Sequence, residues 1–263
     1  MKIILRNSCL ILSLLAGCAT SPLGRKQLII VPDSQMSALG AQAFQQMKGQ
    51  TPTVSDPAVN NYVRCIAEPI TQAAQSDTGI SQWEIVVFRD ETPNAFALPG
   101  GKIGVHTGIM KVAKTPDELA AVIGHEVGHV IAKHGAERVS SSLAAEGGLA
   151  ALDAALGGAP SPARSQMLAG LLTVGFLLPH SRTQESESDL IGLKLMARAG
   201  FDPRRSVTLW QNMMAAGGAS APEWLSTHPA NQSRIEALNE HVAEAMPDYE
   251  RRKAEHKLPS CRL

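Results

Sequence analysis

His125, Glu126 and His129 stand together in His125-Glu126-Val127-Gly128-His129. On a helix, two imidazoles four residues apart share one face, about 6 Å from each other. At that spacing both can grip one metal ion with bonds of ~2.0–2.1 Å. Glu126 is turned about 100° from His125 around the helix axis. It stands beside such an ion rather than on it, where a carboxylate can take a proton from an activated water. The chemistry on offer is metal-assisted hydrolysis. A helix carrying surface histidines and a glutamate shows the same letters, so three fixed positions are only suggestive. The apolar run before them, Leu119 to Ile123, points instead to part-buried histidines.

A catalytic zinc takes three protein ligands and keeps a place for water. His134, five residues after His129, points off the ligand face. Ala132 and Gly135 stand where a longer His-x-x-Gly-x-x-His continuation would need Gly and His. Glu185 and Asp189 are four apart and share a helical face. Glu185 is the candidate third ligand. Asp189 can accept a hydrogen bond from a ligand histidine and fix its tautomer. Glu187 is the rival ligand, but it lies about 200° around the helix from Glu185. Taken alone, this segment reads equally well as a solvated acidic face.

These residues need elements to hold them. Thr115-Pro116-Asp117-Glu118 is a helix start with a capping box, and the helix it opens runs through Lys133 or His134. Ser181 caps a second helix that reaches Ala199 and stops at Gly200. Other helices are expected from Asp33 or Ser34 to about Lys48, from Pro57 to about Gln75 and from Ala136 to Leu156. Three more follow, over Gln166 to Leu178, from Pro203 to about Ala216 and from Pro229 to about Ala245. Pro69 is a potential kink. Gly157 to Pro162 reads as a break. Strands are expected at Gln27–Val31, Trp83–Phe88, Ala95–Leu98 and Lys102–His106, the last two joined through Pro99-Gly100-Gly101. The pattern predicts one α+β domain, predominantly helical, with a small sheet beside the motif helix.

The N-terminus reads as an address. Lys2 and Arg6 form a short basic region, Ile3 to Leu15 is largely apolar though interrupted by Arg6 to Cys9 and Ser13, and Leu15-Ala16-Gly17-Cys18 resembles the lipobox of bacterial lipoproteins. The resemblance implies a signal peptide over residues 1–17, lipid on Cys18 and a tether through residue 32, with the domain over 33–263. The apolar run is short of the ~20 residues a membrane span needs, and so is Leu168 to Leu178. With Ala19 and Thr20 after the cysteine, the resemblance further implies an outer-membrane address facing the periplasm. In that oxidising compartment Cys65 and Cys261 are an even pair, predicted to join the C-terminal tail to an early helix.

Composition narrows the function classes. The 263 residues carry 24 Lys+Arg against 24 Asp+Glu. A nucleic-acid binder would show a basic excess. Aromatics at 4% leave little for a base-stacking platform. His106, His180, His241 and His256 take surface or core positions on this reading, and the methionines fill core.

At this point the chain resembles peptidase family M48, zinc metallopeptidases of the gluzincin type, and above all its small bacterial lipoprotein members. The likeness runs from about Arg25 to about Leu238. His125, Glu126 and His129 match the family's HExxH, and Glu185 and Asp189 match its ExxxD. Asn94, Ala95, Phe96 and Ala97, followed by Gly100-Gly101-Lys102-Ile103, look like the family strand that lies along the cleft and pairs with substrate backbone. His228-Pro229 with Arg234 matches a motif whose His and Arg approach the zinc and can stabilise the oxyanion. Ser188 departs from the family's usual Ala. The resemblance implies one zinc per chain and polypeptide substrates among misfolded envelope proteins. The alternatives are an assembly factor or chaperone-like lipoprotein that keeps a latent protease fold, and a structural lipoprotein with a zinc staple. A further expectation is that Gly157–Pro179 or the His228 loop covers the cleft.

Overall fold

Thr115 opens the helix that carries the motif, and its side chain accepts from Glu118 N at 3.2 Å. Pro116 sits in the first turn, where its missing N–H costs nothing. Around this helix the computed structural model describes residues 18–146, 166, 169–216, 223–229 and 232–263. In chain order the main elements are β1 (Cys18–Thr20), β2 (Lys26–Leu28), α1 (Asp33–Gln50) and α2 (Pro57–Ala73). Then come β3 (Glu84–Phe88), β4 (Ala95–Leu98), β5 (Lys102–His106), α3 (Pro116–Ile131) and α4 (His134–Glu146). The chain continues with α5 (Arg182–Ala199), α6 (Arg204–Ala216), α7 (Glu223–Thr227) and α8 (Gln232–Ala254). The described fold is thus α+β and mostly helical. The expected break at Gly157 to Pro162 and the end of the helix expected to reach Leu156 lie outside the described residues.

The sheet has the order β3-β5-β4, with β3 parallel and β4 antiparallel to β5. Alternate residues feed two cores. Ile85, Val87, Ile103 and Val105 join the larger one, against α2, α3 and the C-terminal helices. Phe88 and Leu98 join the smaller one, beside α1 and α4. β4 lies at the sheet edge, and among the described residues no strand pairs with its outer side.

α3 is buried on nearly every face, which is why its sequence is apolar without a clean polar stripe. α5 crosses it at backbone contact. A Cβ on Gly192 would stand 2.7 Å from His125 N, and one on Gly128 would stand 2.8 Å from Ser188 O. Ser188 Oγ donates to the His125 carbonyl. α5 has a complete capping box between Ser181 and Gln184, and Gly200 ends it at φ +93°.

The structure differs from the sequence reading in places. Of the expected Gln27–Val31 strand only Gln27 and Leu28 are paired, within β2 (Lys26–Leu28) against Cys18–Thr20. Ile30 N and Val31 N turn instead to Ser140 Oγ, at 3.0 and 3.3 Å. Residues 18–28, read as a tether, fold as a hairpin onto the domain, with Gln27 Nε2 donating to Ala132 O at 2.7 Å. α8 runs past Ala245 and through Pro247. Cys65 on α2 and Cys261 in the tail form a disulfide, with Cα atoms 5.6 Å apart.

Candidate metal centre

Because α3 and α5 touch at their glycines, the side chains beside the contact converge. His125 and His129 come from α3 and Glu185 from α5, and His228 follows α7. One donor atom from each lies within 4.8 Å of the other three. His129 Nε2 is 3.0 Å from His125 Nε2, and His228 Nδ1 is 3.2 Å from His125 Nε2. Glu185 oxygens stand 3.5 Å from each α3 imidazole and 3.0 Å from His228 Nδ1. Donors around a tetrahedral ion with bonds of 2.0–2.1 Å are about 3.3–3.4 Å apart. The observed spacings bracket that value, and imidazole with carboxylate is a zinc-type donor set. The residues therefore fit a zinc ion.

The orienting partners fit it too. Asp189 Oδ1 is 2.9 Å from His125 Nδ1, which turns Nε2 of that ring toward the cluster. Arg234 holds Asp189 through Nε and Nη2 at 2.7 and 2.8 Å, and Glu185 through Nη1 at 2.7 Å. Its guanidinium lies 3.8 Å over the Trp210 ring. The same fork also donates to the Pro229 carbonyl through Nη1 at 2.9 Å, so Arg234 ties the His228 loop to the two buried carboxylates. Ser188, the departure from the family pattern, is accommodated by its bond to the His125 carbonyl.

Electrostatics follow from burial and neighbours. Burial pulls His125 down, but Asp189 and Glu185 outweigh it and hold the ring up at about 9. Burial and the surrounding imidazoles push His129 well below its usual range, which keeps it neutral. Burial pushes Glu185 up, yet His228 and His125 more than reverse this and keep it ionised. Burial, then His228 and Arg138, bring His180 down to about 2.

Glu126 lies in the wall of a cleft of about 780 Å³, with His129, His180 and His228. Asn94, Ala95, Phe96 and Ala97 line the same cleft, so the outer edge of β4 borders it. Glu126 Oε1 accepts from Trp224 Nε1 at 2.7 Å.

Sequence reasoning missed three neighbours. His134, placed off the ligand face, stands behind His129 with its Nδ1 at 2.8 Å from His129 Nδ1. His180, given no role, has its ring centroid 4.0 Å from that of His129. Trp224 went unmentioned. The one available signal was the interval between His129, His134 and Glu187, and it becomes meaningful only once α3, α4 and α5 are packed.

Residues 57–242 match Peptidase family M48. The chain is 43% identical over 166 residues to the mitochondrial metalloendopeptidase OMA1 of Schizosaccharomyces pombe, covering 62% of this chain and 48% of that protein. It is 33% identical over 240 residues to the mitochondrial metalloendopeptidase OMA1 of Bos taurus, covering 85% and 45%. It is 27% identical over 210 residues to the beta-barrel assembly-enhancing protease of Escherichia coli, covering 76% and 42%. Such relatives are much longer, and the chain spans 31–55% of the OMA1 proteins of Schizosaccharomyces pombe, Arabidopsis thaliana and Saccharomyces cerevisiae.

Proposed function

The chain belongs to Peptidase family M48, and from that premise we propose that it is a zinc-dependent endopeptidase acting on proteins of the bacterial envelope. The observation that carries this reading is Glu126 in the cleft wall beside the cluster of His125, His129, Glu185 and His228. His125, His129 and Glu185 would hold the zinc, with Asp189 and Arg234 fixing the ligands. Bound there, zinc would lower the pKa of a water and polarise a peptide carbonyl.

The chain's own residues supply the remaining steps. An extended peptide adds to the outer edge of β4 along Asn94–Ala97 through backbone hydrogen bonds. Trp224 holds one oxygen of Glu126, so the carboxylate meets the cleft in a set orientation. Glu126 takes the proton of the attacking water and returns it to the leaving amine. His228, with Nε2 at 3.4 Å from Glu126 Oε1, stands where an N–H can face the developing oxyanion.

The envelope setting is part of the same proposal. It is supported by the lipobox-like Leu15–Cys18, by the Cys65–Cys261 disulfide and by the likeness to the beta-barrel assembly-enhancing protease. On this reading residues 1–17 are removed and Cys18 carries lipid in the outer membrane, facing the periplasm. The short segment through residue 32 leads into the peptidase domain over 33–263. No helix among the described residues is long and apolar enough to cross a membrane.

The test is casein hydrolysis by the chain from Ala19, wild type beside Glu126→Gln, with zinc measured on both. Wild-type cleavage and a zinc-loaded, inactive mutant are expected. A mutant that holds zinc and cleaves like wild type would remove Glu126 from its role. One observation favours a second reading, an assembly factor with a latent protease fold: His228 Nδ1 stands among the donors, where a fourth ligand would close the site. Under that reading His228→Ala gains hydrolysis, whereas under the first it loses it.

A further inference from the structure

Both ring nitrogens of His129 are engaged. Nε2 faces the donor cluster, and Nδ1 is 2.8 Å from His134 Nδ1. Ring nitrogens this close share one proton, so one donates and the other accepts. The next bond decides which. His134 Nε2 is 3.1 Å from Glu187 Oε2, and an ionised carboxylate only accepts. His134 therefore keeps its proton on Nε2, presents the Nδ1 lone pair and accepts from His129 Nδ1–H. That leaves the Nε2 lone pair of His129 turned toward the cluster. At the far end Arg25 Nε donates to Glu187 Oε2 at 3.0 Å. Arg25 also forks onto Glu137, so the loop between β1 and β2 is clamped to α4 and α5 together. His134 and Glu187 are 0% and 4% exposed, so water does not compete for these bonds.

We propose that Glu187 and His134 are positioning residues that fix the tautomer and ring orientation of His129, with Arg25 of the N-terminal hairpin holding the end of the chain. This rests on the metal reading above. It gives each motif imidazole an acceptor behind it: Asp189 for His125, and His134 for His129. His129, His134 and His180 also lie within 4.8 Å of one another. Both nitrogens of His134 are already used, however, so the trio acts as an orienting chain and not as a second cation site.

The experiment measures zinc affinity by competition with a chromogenic chelator, and the visible spectrum of the cobalt-substituted protein. It uses the full-length chain in detergent, comparing wild type, His134→Leu and His134→Asn. Leucine removes the acceptor, whereas the Asn carbonyl can replace Nδ1. The expected result is zinc binding weakened about 10- to 100-fold in His134→Leu, with shifted cobalt bands, and most of the affinity regained in His134→Asn. Glu187→Gln and Arg25→Gln are expected to weaken binding in the same direction by less, and they carry the test if His134→Leu does not fold. Wild-type affinity and cobalt spectrum in every folded variant would overturn the proposal. A wild type that binds no stoichiometric zinc would overturn the metal reading, and this proposal with it.

Discussion

Trp224→Phe isolates one bond. Trp224 is fully buried and stacks on Trp210 with ring centroids 4.8 Å apart, while its N–H reaches Glu126 Oε1 at 2.7 Å. Phenylalanine keeps an aromatic ring in the stack and deletes the donor. A hydrogen bond to a charged group is worth about 1.5–3 kcal/mol. Glu126 is 4% exposed, so little water is available to replace the indole. An unanchored carboxylate then samples orientations that cannot take the proton, and orientation is where such sites gain rate. Carried wholly into the barrier, the lost bond lowers kcat/KM by about 10- to 150-fold. The assay is hydrolysis of a quenched fluorescent peptide well below the melting temperature, with zinc measured on the same sample. The smaller ring also costs stability, so the folded fraction is checked by circular dichroism. If kcat/KM stays within about twofold of wild type with zinc bound and the chain folded, Trp224 does not orient Glu126. If the loss tracks departure of zinc, the effect runs through the ligands and the reasoning fails as well.

Replacing Cys65 and Cys261 together by Ser removes a link between residues separated by 196 positions. The chain-entropy argument puts its contribution at up to about 5 kcal/mol in guanidinium unfolding, and a loss under about 1 kcal/mol would contradict it. Gly192→Ala sets a Cβ 2.7 Å from His125 N, which forces α5 away from α3. It is expected to cost about 1–3 kcal/mol and to weaken zinc binding, and unchanged melting and affinity would show that the helices have slack. Burial pushes Glu137 up, but its bonds to Arg25 and Gln184 bring it below its ordinary 4.5. A depressed folded-state value means stability that is present above pH 4.5 and lost as the pH falls below it. Glu137→Gln should therefore flatten the acid limb of melting temperature against pH, and an unchanged limb would assign it to other carboxylates.

What the sequence discloses here is mainly what depends on neighbours along the chain. Thr115, the Ser181 cap and Gly200 mark helix ends within a few residues, and the structure puts ends there. The spacing of His125, Glu126 and His129, and of Glu185 and Asp189, is fixed by helix geometry alone. His134, Trp224 and Arg234 take their parts from contacts 53, 98 and 45 residues away along the chain. No local pattern encodes such pairings. The β1–β2 hairpin was missed because each strand is three residues long and its docking depends on Glu137, Glu187 and Ala132. α8 passes Pro247 with Ala243 and Pro247 themselves exposed, so water can serve the Ala243 carbonyl that proline leaves without a donor.

The Cys65–Cys261 bond turns most of the chain into a covalent ring that contains the whole of α3 to α8. A single cut inside that ring opens it without releasing a fragment. Nicked protein would migrate as one species on a non-reducing gel and separate into two only after reductant is added. Apparent integrity during purification would then report the disulfide rather than the backbone, and the pieces bearing His125 and Glu185 would stay tethered to each other after the cut.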